Sequence, residues 1–228
     1  MLIAIPDVLT PEEVERLFSL MQAAEWIDGN ATSGASAALA KRNQQLPEES
    51  EPAHACQAIV SAALARNALF LSAALPSRVF PPLFSQYGVG DVFHAHVDNA
   101  IRVDRLTGQR MRTDMAATLF LADIDQYDGG ELVVEGSFGS VDYKLPAGHL
   151  LLYPATSLHR VNEITRGKRL VSFFWIESMV RDEAAREMLF DLDQTVQALT
   201  AERGGDDAEV LRLTHIYHNL VRRWAQSG

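Results

Sequence analysis

The sequence predicts an α+β protein: a β-sandwich or jelly-roll core over residues 78–178, a strand and helices over 1–77 that pack on it, and a helical extension over 179–228. Three observations carry this reading. Short β-branched and aromatic runs separated by turn residues fill the middle of the chain. The Ala- and Leu-rich stretch 54–75 lacks Gly and Pro, which favours helix over strand. Beyond Ser178, apolar residues return at helical spacing.

In chain order, 2–5 is a short apolar strand, and Thr10-Pro11-Glu12-Glu13 opens a helix with a capping threonine, a proline in the first turn and Glu13 closing the box. Val14, Leu17, Phe18 and Met21 give that helix one apolar face. Residues 26–51, rich in Gly, Ser, Asn, Gln and Ala, read as surface strand and loop suited to one rim of a pocket. Candidate core strands are 79–87, 92–98, 115–121, 131–135, 141–145, 149–153, 158–164 and 169–177, with Asp128-Gly129-Gly130 as a turn and 165–168 folding the last two strands into a hairpin. The extension holds a helix over 181–202, ended at Gly204, and a second capped by Asp206 with Val210, Leu213, Tyr217, Leu220 and Trp224 on one face. Such a terminal pair packs on the core or supplies a homodimer surface.

With 228 residues, 47% hydrophobic and 22% charged, the chain suffices for one substantial core. A net charge of -10 disfavours nucleic acid. One cysteine excludes an intrachain disulfide, and neither a leader peptide nor a run of about 20 apolar residues is present. These absences lead to the expectation of a cytoplasmic protein without a membrane partner.

The chemistry concentrates in Phe93-His94-Ala95-His96-Val97-Asp98-Asn99. Strand alternation turns His94, His96 and Asp98 to one side. Same-face neighbours are roughly 7 Å apart, so one ion is shared by His94 with His96 or by His96 with Asp98. Two imidazoles suit zinc, whereas imidazole plus carboxylate with open positions suits a non-haem Fe(II) oxygenase that needs a further His. His159, after the strand and proline turn Leu152-Tyr153-Pro154, is the candidate; His149 follows Gly148 at the far end and reads as a turn residue. Arg169, ten residues on, enters an apolar strand where a guanidinium could hold a carboxylate. His54, His215 and His218 read as structural or surface residues, and Arg166 and Lys168 as a solvated turn.

The array Tyr87, Gly90, Phe93, His96, Asp98, His159 and Arg169 resembles the Fe(II)- and 2-oxoglutarate-dependent dioxygenases of the prolyl/lysyl hydroxylase type. His96-Val97-Asp98-Asn99-Ala100-Ile101-Arg102, Tyr127-Asp128-Gly129-Gly130-Glu131-Leu132 and Leu145-Pro146-Ala147-Gly148 resemble the bacterial PKHD-type hydroxylases, a likeness that covers nearly the whole chain. The resemblance implies a double-stranded β-helix (jelly-roll) core, His96, Asp98 and His159 as ligands of Fe(II), and Arg169 binding 2-oxoglutarate with Tyr87 beside it. It further implies hydroxylation of a small-molecule or peptide substrate by O2, coupled to conversion of 2-oxoglutarate to succinate and CO2, with L-ascorbate as a reductant of stray ferric iron. His94 then lies on the metal face without binding the ion, and Asn99, Arg102 and Arg112 lie near the mouth, open to substrate or to solvent. A cupin-like zinc or manganese protein using His94, His96 and His159, or a noncatalytic metal-binding interaction barrel, remain the alternatives.

Overall fold

The computed structural model describes residues 1–32, 41–104, 107–136 and 139–226. In order the elements are β1 (Ile3–Ile5), α1 (Pro11–Gln22), β2 (Ile27–Asp28), a 3-10 turn (Gly29–Thr32), β3 (Lys41–Arg42), β4 (Gln44–Gln45), α2 (Glu51–Arg66), α3 (Ala68–Ala74), β5 (Pro76–Val79), β6 (Leu83–Tyr87), β7 (Val92–His96), β8 (Ile101–Val103) and β9 (Arg110–Arg112). They continue with β10 (Met115–Phe120), β11 (Tyr127–Gly129), β12 (Leu132–Gly136), β13 (Gly139–Tyr143), β14 (Leu150–Pro154), β15 (His159–Val161), β16 (Ile164–Gly167), β17 (Arg169–Ser178), α4 (Glu183–Arg203) and α5 (Ala208–Trp224).

Two antiparallel sheets organise the chain. The larger runs β1-β14-β10-β17-β6-β4-β2, with β5 also on β17; the smaller runs β13-β12-β15-β7-β3. In the large sheet β10 lies between β14 and β17 and is buried at all six positions, so it shows no polar face in sequence. One continuous apolar core joins the inner faces of both sheets to α1, α2 and α3. A smaller cluster of Leu75, Val180, Ala185 and Leu189 seats the C-terminal helices.

Local chemistry accounts for the breaks. The Thr10 capping box forms as expected, its hydroxyl accepting from the Glu13 amide and the Glu13 carboxylate from the Thr10 amide. The stretch expected as one helix over 54–75 divides at Asn67, an extended residue whose side chain accepts from the Phe70 amide and caps α3 afresh. Expected strand 79–87 divides at Pro81-Pro82, which lack ladder donors. Expected strand 158–164 divides because β15 pairs β12 and β7 whereas β16 pairs β11, drawing Asp128 and Gly129 of the expected turn into a strand. The expected hairpin across 165–168 does not form: β16 belongs to that small ribbon, and β17 pairs β10, β5 and β6. The α5 cap is Asp207, one residue beyond the expected Asp206, its carboxylate accepting from the Glu209 and Val210 amides. Of the 26–51 segment, 33–40 lies outside the described residues; β2, β3 and β4 extend the sheet edges, with Lys41 opposite Phe93. Among the described residues no single helix is long and apolar enough to cross a membrane; α2 and α3 reach that length and apolarity only together, and they are bent by 82° at their junction.

Candidate active site

The cavity between the two sheets is built around an irregularity in β7. His159 of β15 stands opposite His96, but Val161 stands opposite Phe93, so the two residues between that pair on β7 oppose a single residue on β15. This bulge overrides strict alternation. Phe93 and His96 turn to the same side and stack, with ring centroids 3.6 Å apart, while the His94 side chain is exposed. The expectation that His94 faces the metal side through its imidazole is therefore corrected. Its contribution is the backbone carbonyl, 2.8 Å from His96 Nδ1. His159 repeats the device, its Nδ1 lying 3.0 Å from the Ser157 carbonyl.

A carbonyl only accepts, so each Nδ1 carries a proton, and each Nε2 is the ring nitrogen left to face the cavity. Asp98, just beyond the end of β7, brings its Oδ2 within 3.9 Å of His159 Nε2. One ligand atom from each of His96, Asp98 and His159 lies within 4.8 Å of the others. Burial and the neighbouring His159 push His96 down to about 4, so it is a neutral donor near neutral pH. Burial pushes the Asp98 carboxyl up, opposed by His159 and Arg102. Two imidazoles and a carboxyl group whose ligand atoms converge in this way fit a divalent first-row metal, and three protein ligands leave coordination positions open.

Arg169, the first residue of β17, is 1% exposed and pairs in register with Tyr87 of β6. Its guanidinium lies 5.2 Å from the Tyr87 ring and 5.5 Å from that of Phe120. Its Nε has no hydrogen-bond partner, and among the described residues no carboxylate lies within ion-pair range. Burying a guanidinium without a counter-charge costs several kcal/mol, which suits a site for an anion. Burial also pushes the Tyr127 hydroxyl up, with Arg169 beside it opposing.

Of the remaining sequence candidates, Asn99 and Arg102 line the cavity, Arg102 over the Trp175 ring at 4.1 Å. Arg112 does not reach it: Asp114 holds its guanidinium at 2.7 and 2.9 Å, and the Ser178 carbonyl accepts at 3.2 Å. His149 lies beside Asp7, and Arg166 pairs with exposed Asp128. Sequence reasoning missed Lys41, Tyr153 and the aromatic wall of β17. That wall was readable, because Val171, Phe173 and Trp175 follow Arg169 at every second position. Lys41 carried no such signal in its polar surroundings.

Comparison with known proteins sets the class. Residues 82–177 match the model of the 2OG-Fe(II) oxygenase superfamily, and 183–226 match the PKHD-type hydroxylase C-terminal domain. A PKHD-type hydroxylase of Burkholderia thailandensis is 60% identical, and one of Rhizorhabdus wittichii 56%, each alignment covering 100% of both chains. Among solved structures, a prolyl-4-hydroxylase of Pseudomonas putida superposes with a TM-score of 0.52 at 20% identity over 78% of this chain and 92% of that one. HygX from Streptomyces hygroscopicus, with nickel, 2-oxoglutarate and hygromycin B bound, gives 0.53 at 17% identity over 76% and 81%. These two likenesses concern the fold. The chain belongs to the PKHD-type hydroxylase family.

Proposed function

We propose that this protein is an Fe(II)- and 2-oxoglutarate-dependent dioxygenase that hydroxylates a small molecule or peptide while 2-oxoglutarate becomes succinate and CO2. The observation that carries the reading is Arg169, a fully buried guanidinium without a carboxylate partner among the described residues, in the same cavity as the His96, Asp98 and His159 cluster. In this reading the three cluster residues hold Fe(II), and the His94 and Ser157 carbonyls fix the two imidazoles. Iron bound there would supply redox chemistry with O2, for which L-ascorbate would be a reductant. Arg169 receives the distal carboxylate of 2-oxoglutarate by paired hydrogen bonds, with Tyr87 forming the wall beside it. The apolar faces of β10 and β17 keep bulk water from the reacting centre. Asn99 and Arg102 stand where substrate enters.

The two sheets facing across this cavity constitute a double-stranded β-helix, and the chain divides functionally into 1–77, 78–178 and 179–228. Support comes from the family matches over 82–177 and 183–226. The wider reading is of a cytoplasmic enzyme without nucleic-acid or membrane partners, in keeping with the charge of -10, and a homodimer through α4 and α5, where Met188, Leu211 and Ile216 are exposed. A cupin-like site is disfavoured by the exposed His94 side chain.

The test is anaerobic titration with Fe(II) and then 2-oxoglutarate, followed by O2 and succinate measurement. Native protein is expected to bind both, and Arg169→Ala to weaken 2-oxoglutarate at least a hundredfold while retaining iron. Failure of native protein to bind the cosubstrate overturns the reading.

A further inference from the structure

Lys41 lies in the wall of the same cavity, only 8% exposed. It comes from the short edge strand β3, where it stands opposite Phe93. Its ammonium sits between two aromatic rings, 5.5 Å from the centroid of Phe93 and 5.4 Å from that of Phe173. One of its three donors reaches the Gly29 carbonyl at 3.2 Å. Among the described residues it forms no ion pair. A lysine serving only to pack an edge strand would send its head group to water along an apolar stem. Here the head group stays inside. Burial and nearby Arg102 pull it down to about 8, against the opposing field of Asp28, so the site holds the charge at a cost that an anion would relieve.

Position separates this cation from Arg169. Both residues relate to β17, whose positions 169, 171, 173 and 175 line the cavity. Phe173, the ring beneath Lys41, is four residues from Arg169, about 13 Å along a strand. Two residues further, Arg102 covers Trp175. The stripe thus has a cationic inner end at Arg169 and a second cationic region at the Phe173–Trp175 end.

We propose that Lys41 is a substrate-binding residue and that the primary substrate is an anion whose carboxylate is held by its ammonium, Arg102 adding to the same field. This rests on the dioxygenase reading above, which assigns Arg169 to the cosubstrate. The probe is phenylacetate, whose ring suits the Phe93 and Phe173 walls, against the neutral phenylacetamide. Binding of each is measured by calorimetry on protein loaded anaerobically with Fe(II) and 2-oxoglutarate. Native protein is expected to prefer the carboxylate at least tenfold. Lys41→Met should abolish the preference and Lys41→Arg should restore most of it. Equal binding of the two probes, binding of neither, or a preference unchanged in Lys41→Met overturns the proposal. A loss of 2-oxoglutarate affinity in Lys41→Met as large as that in Arg169→Ala also overturns it, by assigning Lys41 to the cosubstrate. Because 2-oxoglutarate uptake by native protein is recorded before the probe is added, failure of the dioxygenase reading registers separately.

Discussion

At His96 one backbone contact decides which nitrogen is available, and burial decides its charge. The Nδ1 proton is committed to the His94 carbonyl, and the ring is held down to about 4 from an ordinary 6.5, chiefly by burial and then by His159. The sign of the linkage follows. Between pH 6.5 and 4 the unfolded chain takes up a proton that folded, metal-free protein refuses, so this residue lowers stability as the pH falls through that window. Asp98, pushed up by burial, acts the other way, so the informative comparison is with a variant lacking only the imidazole. Denaturant midpoints of metal-free protein should fall more steeply from pH 6.5 to 4.5 in wild type than in His96→Gln, by up to one proton in the linkage slope. Parallel slopes would refute the burial argument. That His96, Asp98 and His159 would cluster was expected from the resemblance that their spacing, with Arg169 ten residues on, carries. The exclusion of His94 by the bulge was not, since alternation alone turns it inward.

Among the elements, the short β11–β16 ribbon controls the room around Arg169. Gly130, directly after β11, has φ +68, and a Cβ there would lie 2.3 Å from Ile164 Cδ1 and 3.1 Å from Arg169 Cδ. Gly130→Ala combines strain in the left-handed region with displacement of the guanidinium, and should cost roughly 1–3 kcal/mol of stability. It should also weaken 2-oxoglutarate several-fold. Gly90 separates the two effects: φ is +85, but a Cβ would meet nothing within 4 Å. Gly90→Ala should carry the strain and leave 2-oxoglutarate affinity unaltered, as read by denaturant unfolding and titration of both variants. Equal affinity losses would mean that backbone strain, and not the approach to Arg169, governs the site. The ribbon also explains why some elements were hidden. Gly129-Gly130 advertises a turn locally, and only β16, nearly forty residues later, makes the adjoining residues a strand. The N-caps of α1 and α4, by contrast, rest on Thr10 and Asp182 with their own next three residues, and such local chemistry leaves a local signature.

Across the whole molecule the site joins two sheets. His96 and His159 belong to the smaller sheet and Arg169 to the larger, so metal and cosubstrate together would bridge them. A ligand that binds only the folded chain stabilises it by about 2.7 kcal/mol at a hundredfold excess over its dissociation constant. For a chain of 228 residues that corresponds to a rise in melting midpoint of roughly 5–10 °C. Anaerobic thermal unfolding should therefore rise once with Fe(II) and again with 2-oxoglutarate. Asp98→Ala should lose the first increment and most of the second if, as proposed, its carboxylate completes the metal set. Arg169→Ala should keep the first and lose the second, because its guanidinium lies outside the metal cluster. If 2-oxoglutarate raised the midpoint of Arg169→Ala as much as that of the native protein, its carboxylate would be held elsewhere. The buried charge of Arg169 would then serve the packing of β17 against Tyr87 and Phe120, and not the cosubstrate.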